Sequence, residues 1–215
     1  MSERGRAVSV NVGRPEELTI GGRSRETGIF KRPQEGRVPI AGVAVGDDVQ
    51  VDTKHHGGPF KAVYAYALED YEWWRRELER ELPPGTFGEN LTTVGIDISS
   101  ALIGERWRVD TATMEVADPR IPCSTLRARM EIPGFVKTFA RARRFGAYFS
   151  IVTEGSVAAG DEITVLDRPT HDVTIERLGV AQLGAGPAEI RAIYEALGRP
   201  ERRLTWAEKP SRPAG

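Results

Sequence analysis

Four short segments carry residue types that a hydrophobic core does not require. The first, Thr27-Gly28-Ile29-Phe30-Lys31-Arg32-Pro33, sets two adjacent cations before a proline. Taken alone it is a basic turn, since most charge pairs in loops are solvated. The second, Asp52-Thr53-Lys54-His55-His56-Gly57-Gly58-Pro59-Phe60-Lys61, gathers two of the three histidines, two lysines and an acid around a Gly-Gly-Pro turn. Such a loop can offer backbone N–H groups and cations to an anion. As a metal site it is weak, because adjacent side chains on an extended segment point in opposite directions and no third ligand sits at a metal-binding spacing. One histidine bonded inside and one exposed fits the spacing as well. The third, Gly85-Thr86-Phe87-Gly88-Glu89-Asn90-Leu91, places a carboxylate and an amide beside glycines, as ligand contacts or as turn formers.

The fourth segment, Asp118-Pro119-Arg120-Ile121-Pro122-Cys123-Ser124-Thr125-Leu126, holds the only thiol of the 215 residues. Two prolines fix the backbone before Cys123, and the residues after it read as a helix start. Helix N–H dipoles and Arg120 would there lower a thiol pKa. A small inert core residue is the alternative for a lone cysteine.

The composition narrows the classes open to these residues. With 30 Lys plus Arg against 31 Asp plus Glu, the net charge of -1 is no footprint for nucleic acid. One cysteine excludes an intrachain disulfide or a multi-thiolate cluster and points to a reducing cytoplasm. The N-terminus lacks a signal-peptide core, and no window approaches eighteen apolar residues, so no membrane partner is expected. There is no Gly-x-Ser-x-Gly elbow, Gly-x-Gly-x-x-Gly fingerprint or P-loop, which leaves serine hydrolase, nicotinamide and ATP chemistry without an anchor.

The elements that must position the four segments are mostly strands. Short alternations at Ala7 to Val12, Val43 and Val45, Val49 and Val51, Val63 and Ala65, Trp107 and Val109, Ala147 to Thr153 and Glu162 to Leu166 lie between turn-forming Gly and Pro. Between Ala65 and Pro83 the period changes: Leu68, Tyr71, Trp74, Leu78 and Leu82 recur at helical spacing up to Pro83-Pro84-Gly85. A second helical stretch runs from Pro133 to Arg144. After Arg168-Pro169 come short helical patterns, one from Pro187 to Leu197 with Gly198 as its closing residue. The expected class is mostly β with α, a barrel over 1–168 followed by a small helical extension over 169–215.

In this order, Thr-Gly-Ile-Phe-Lys-Arg-Pro at 27–33, Lys-His-His-Gly-Gly-Pro at 54–59, Phe-Gly-Glu-Asn-Leu-Thr at 87–92 and Pro-Arg-Ile-Pro-Cys at 119–123 resemble the MOSC family. That domain is named for the C-terminal part of molybdenum cofactor sulfurase, and the closest likeness is to its YiiM-like stand-alone branch. The stretch Arg144-Phe145-Gly146-Ala147-Tyr148-Phe149 is also similar, and residues 170–209 resemble the branch's three-helix extension.

The resemblance implies a MOSC-type β-barrel that binds the pyranopterin molybdenum cofactor, with Cys123 as metal ligand or sulfur carrier. It implies that Lys31, Arg32, Lys54, His55, Lys61, Phe87, Glu89, Asn90 and Arg120 contact the cofactor. Molybdenum favours thiolate sulfur, and a dithiolene supplies two more sulfurs, so one protein cysteine suffices. Reduction of N-hydroxylated compounds, hydroxylaminopurine-like or amidoxime-like, is the implied activity, in a detoxifying role, with His55 or His56 as proton donor. The chain has no flavin, haem or iron-sulfur signature, so electrons come from a separate reductase. A persulfide carrier and a carrier of intact cofactor are the other readings. The family also has an association with pyridoxal phosphate, and a homodimer is a further possibility.

Overall fold

The computed structural model describes residues 4–51, 57–184 and 186–198. Its centre is a closed barrel of seven strands. Around the barrel run β13 (Glu162–Asp167), β9 (Arg106–Val109), β10 (Ala112–Pro119), β11 (Ala147–Thr153), β7 (Val63–Ala67), β8 (Leu91–Val94) and β1 (Arg4–Gly13). Arg4 to Arg6 of β1 then pair with Thr164 to Glu162 of β13, which closes the ring. All neighbours are antiparallel except β7 and β8, where Ala65, Tyr66 and Ala67 lie beside Leu91, Thr92 and Thr93. A parallel pair cannot be joined by a hairpin, and the crossover here is helix α1 (Leu68–Leu78).

Strand β1 outruns the barrel. Its far end, Asn11 to Gly13, leaves β8 and pairs with β4 (Lys31–Pro33), carrying the first cationic segment to the barrel wall. Before it lies a hairpin of β2 (Glu16–Ile20) and β3 (Arg23–Thr27). A small sheet of β5 (Val38–Ala41), β6 (Ala44–Val45) and β12 (Gly155–Val157) packs beside the barrel. The Val49 and Val51 alternation forms no strand; Gln50 between them is drawn into side-chain bonds with Val43 and Lys61 carbonyls at 2.9 and 3.1 Å.

The helical period after Ala65 holds, but the helix stops at Leu78, well before the prolines. Glu79 takes a left-handed φ of 48°, and its N–H closes on the Arg75 carbonyl. Leu82, fully buried, belongs to the turn that follows. Trp74 faces α3 (Phe135–Ala142), where the Trp74 and Phe139 rings stack 5.7 Å apart. Trp74 Nε1 donates to Tyr66 Oη at 2.7 Å, so the indole is both packed and satisfied. The second helical stretch is shorter than its pattern, because Gly134 and Arg143 adopt left-handed φ at either end.

Helix α2 (Ser124–Met130) starts directly after Cys123. The C-terminal part contributes α4 (Ile175–Gly184) and α5 (Pro187–Ala196), with Gly198 at φ 65° after the latter. Ile175, Leu178, Ile190 and Tyr194 join the same hydrophobic core as the barrel. A third helix of the extension would fall in residues 199–215, outside the described residues. No described helix is long and apolar enough to cross a membrane.

Trp74→Ala should lower stability by about 3–5 kcal/mol, the range for emptying a buried aromatic site. Urea denaturation checks this: the midpoint should fall with the slope unchanged.

Candidate functional site

One cavity of about 640 Å3 gathers residues from distant parts of the chain. Lys31 comes from β4, Asp48 and Gln50 from the loop after β6, Tyr64 from β7, Phe87 and Asn90 from the turn before β8, and Arg120 and Cys123 from the β10–α2 connection. Lys61, Tyr148 of β11, and Ile20, Arg25 and Glu26 of the β2–β3 hairpin also line it.

Glycines permit the convergence. Gly85 sits at φ 86°, and a Cβ there would lie 2.3 Å from the Lys31 carbonyl oxygen. A Cβ on Gly28 would lie 2.2 Å from the Val49 carbonyl oxygen. Neither contact leaves room for a side chain, so the motif glycines are positions of close backbone approach.

A buried polar network fixes the wall. The Lys31 ammonium pairs with Asp48, and the two side chains are 9% and 4% exposed. Asp48 Oδ1 accepts the Gly13 N–H at 2.7 Å, and Oδ2 accepts Asn90 Nδ2 at 2.9 Å. Asn90 Oδ1 in turn accepts the Tyr64 N–H at 3.1 Å. Burial pushes the Lys31 amine pKa down, and Asp48 opposes that shift by favouring the ammonium form.

Glu89, placed with the cofactor contacts by resemblance, is not a lining residue; it lies fully buried in the wall behind them. Its Oε1 accepts from Tyr71 Oη at 2.6 Å, the Gly85 N–H at 2.6 Å and Thr92 Oγ1 at 2.8 Å, so it braces the turn that holds Asn90. Burial raises its pKa, while Tyr71 and Gly85 work against the rise.

Arg120 is 5% exposed, and its guanidinium lies 5.8 Å from the centres of both the Tyr64 and Phe139 rings. Its Nη1 is buried with no hydrogen-bond partner. Burial opposes the charge, but Cys123 and Tyr64 hold the pKa above its ordinary value. Cys123, half-buried, is the N-cap residue of α2, its carbonyl accepting the Arg127 N–H at 3.1 Å. Lys61 Nζ stands 5.7 Å over the Tyr148 ring. Tyr64 Oη is committed to the Phe145 carbonyl at 2.9 Å.

The structure thus brings Lys31, Lys61, Phe87, Asn90, Arg120 and Cys123 together. It sends Arg32 elsewhere. On an extended strand neighbouring side chains face opposite ways, so with Lys31 turned inward Arg32 is 63% exposed, forks onto Glu16 and lines a separate groove with Arg14 and Arg37. Lys54, His55 and His56 lie outside the described residues. Both ends of their loop are tied by Gln50, which also accepts the Gly58 N–H at 3.1 Å. Asp48, Tyr64 and Arg25 carried no signal in the sequence, whereas Tyr148 lay in a stretch noted only for its resemblance. Among the described residues no three His, Cys, Asp or Glu side chains converge on a metal position.

The raised Glu89 pKa gives a signed expectation. A carboxyl whose folded pKa exceeds its unfolded value stabilises the fold below the unfolded pKa, and that contribution is lost as pH rises through the folded pKa. Between about pH 5 and 8, the stability of Glu89→Gln relative to wild type should therefore improve with pH. Urea midpoints at the two ends of that window measure the difference.

A family model described as the MOSC domain matches residues 52–164. An uncharacterized protein of Bacillus subtilis (strain 168), YflK, is 35% identical over 81% of this chain and 79% of its own length. A protein described as a reductase from Gibberella moniliformis is 31% identical over 75% of this chain, which spans only 29% of that longer protein. The crystal structure of YiiM from Geobacillus stearothermophilus superposes with a TM-score of 0.72 at 25% identity, covering 93% of this chain and 99% of that one. With the family model covering over half the chain and a barrel of the same architecture, the protein belongs to the MOSC domain family and is YiiM-like within it.

Proposed function

We propose that this protein binds the pyranopterin molybdenum cofactor in the 640 Å3 cavity and reduces small N-hydroxylated compounds, with electrons from a separate reductase in the cytoplasm. Family membership and the reductase relative support a function related to that cofactor. The observation that carries the finer reading is the pairing of a soft sulfur donor with an unsatisfied cation: Cys123 and Arg120 line one cavity, and Arg120 Nη1 is buried without a partner. A buried guanidinium donor left unpaired costs free energy unless a ligand acceptor meets it.

The residues present fit the group. Cys123 would donate its thiolate to molybdenum, which favours sulfur. Arg120, Lys61 and Lys31 would meet the cofactor's phosphate and acceptor edges, and Asn90, tied to Asp48, would hold the floor in place. Phe87 and Tyr64 offer apolar faces. Arg32 has no part in this reading, and Glu89 acts only by bracing. When bound, the cofactor supplies two-electron oxygen-transfer chemistry.

The chain's own task is then to orient the N–O bond and manage its proton. Breaking that bond leaves a nitrogen that must gain a proton. His55 and His56 remain the proposed donors by type. Tyr148, whose phenol keeps its proton because burial pushes the pKa up, lines the same cavity. Pyridoxal phosphate has no part in this proposal.

Protein purified from a cofactor-producing host should hold about one molybdenum per chain by elemental measurement, and Cys123→Ala should lose most of it. Metal retained in that variant contradicts Cys123 as ligand. The loaded protein should reduce an amidoxime or hydroxylaminopurine with an artificial electron donor. Full metal content without turnover on either substrate supports a carrier of intact cofactor instead.

A further inference from the structure

Asp118 is the penultimate residue of β10, two residues before Arg120 and five before Cys123. It is 9% exposed, and two of its hydrogen bonds come from the C-terminal helices. Its Oδ1 accepts Gln182 Nε2 of α4 at 2.9 Å and Tyr194 Oη of α5 at 3.1 Å. Gln182 Nε2 also donates to Tyr194 Oη at 2.7 Å, so the three side chains form a closed triangle. Such a triangle has little slack, because moving any one member stretches two contacts.

The same stretch of β10 carries an irregularity in its pairing. Its pairing with β11 shifts register between Val116 and Asp118, and Asp118 then lies opposite Tyr148, a lining residue of the cavity. A shift of this kind re-aims the residues beyond it. Helix α4 also packs on the segment that leads into β11: a Cβ on Gly179 would lie 2.5 Å from the Phe145 ring, and the Phe145 carbonyl accepts from Tyr64 Oη. The C-terminal helices therefore hold the end of β10, which leads to Arg120 and Cys123, and the segment that leads into β11 and Tyr148.

We infer that Gln182 and Tyr194 are positioning residues for Cys123: acting through Asp118, they set where the Arg120–Cys123 connection sits and hence how the thiol reacts. Neither residue lines the cavity. The extension is in this view a brace for the site, joined to it by a polar contact whose geometry an apolar contact would not specify. The functional meaning of the inference rests on Cys123 as the reacting thiol, but the coupling itself concerns only this chain.

Because Cys123 is the sole cysteine, alkylation reports on it alone. The test measures the rate of iodoacetamide alkylation of the full chain, as purified before cofactor loading, between about pH 6 and 10. Tyr194→Phe and Gln182→Leu should each move the apparent thiol pKa by about half a unit, about threefold in rate below the pKa. Leu183→Ala, on the exposed side of α4, should leave the profile in place. Profiles that coincide with wild type while the melting temperature falls would overturn the inference and leave the triangle a stability contact only. Should Tyr194→Phe fail to fold, Gln182→Leu, at a half-buried position, decides alone. A flat response overturns the coupling even if molybdenum binds, whereas a shifted profile in a protein that takes up no molybdenum counts against the cofactor reading alone.

Discussion

The buried contact of Lys31 with Asp48 is the constraint on which the site's geometry depends. Two charges removed from water must satisfy each other and every remaining polar atom near them, and here the requirement recruits Gly13 and Asn90 as well. Losing one partner of such a pair costs about 3–5 kcal/mol, because the other is left charged and dry. The pair therefore links β1, β4, the loop after β6 and the turn before β8. Gly85 and Gly28 serve the same end from the steric side, since only bare backbone fits against the Lys31 and Val49 carbonyls. Glu89 then locks the turn from behind.

On this scaffold the cavity concentrates positive charge within a nearly neutral chain. Lys31, Lys61 and Arg120 face one space, although the molecule carries a net charge of -1. The three are held differently. Lys31 is neutralised by Asp48, Lys61 stands over the Tyr148 ring, and Arg120 rests on Tyr64 and Phe139 with one nitrogen unpaired. That last arrangement is the least satisfied in the site, and it lies beside the single thiol. A ligand bringing acceptor atoms and an affinity for sulfur would meet Arg120 and Cys123 together.

Much of the barrel was legible because its strands alternate and its turns carry glycine and proline; β11, the start of α2 and the α5 boundaries fall where the patterns place them. The end of α1 did not, since a left-handed Glu79 stops the helix without any of the usual breakers. The motifs located the site but not the facing of its side chains. Lys31 and Arg32 are adjacent cations in one motif, and the strand that carries them sends one inward and the other to Glu16. The alternation that weakens His55-His56 as a metal pair applies equally to these two. Asp48 was silent because nothing in its local pattern separates it from a solvated acid; only the fold shows it buried under Lys31. The tie between the C-terminal helices and Asp118 was equally invisible, because a polar triangle across 76 residues of sequence has no local signature.

The central claim is that Cys123 supplies a sulfur to molybdenum in this cavity. X-ray absorption at the molybdenum edge of the loaded protein, compared with Cys123→Ser loaded by the same route, tests it most directly. The account expects about three sulfur neighbours in the wild type, two from the dithiolene and one from Cys123, and the loss of one in the variant. An unchanged sulfur shell in Cys123→Ser would contradict it.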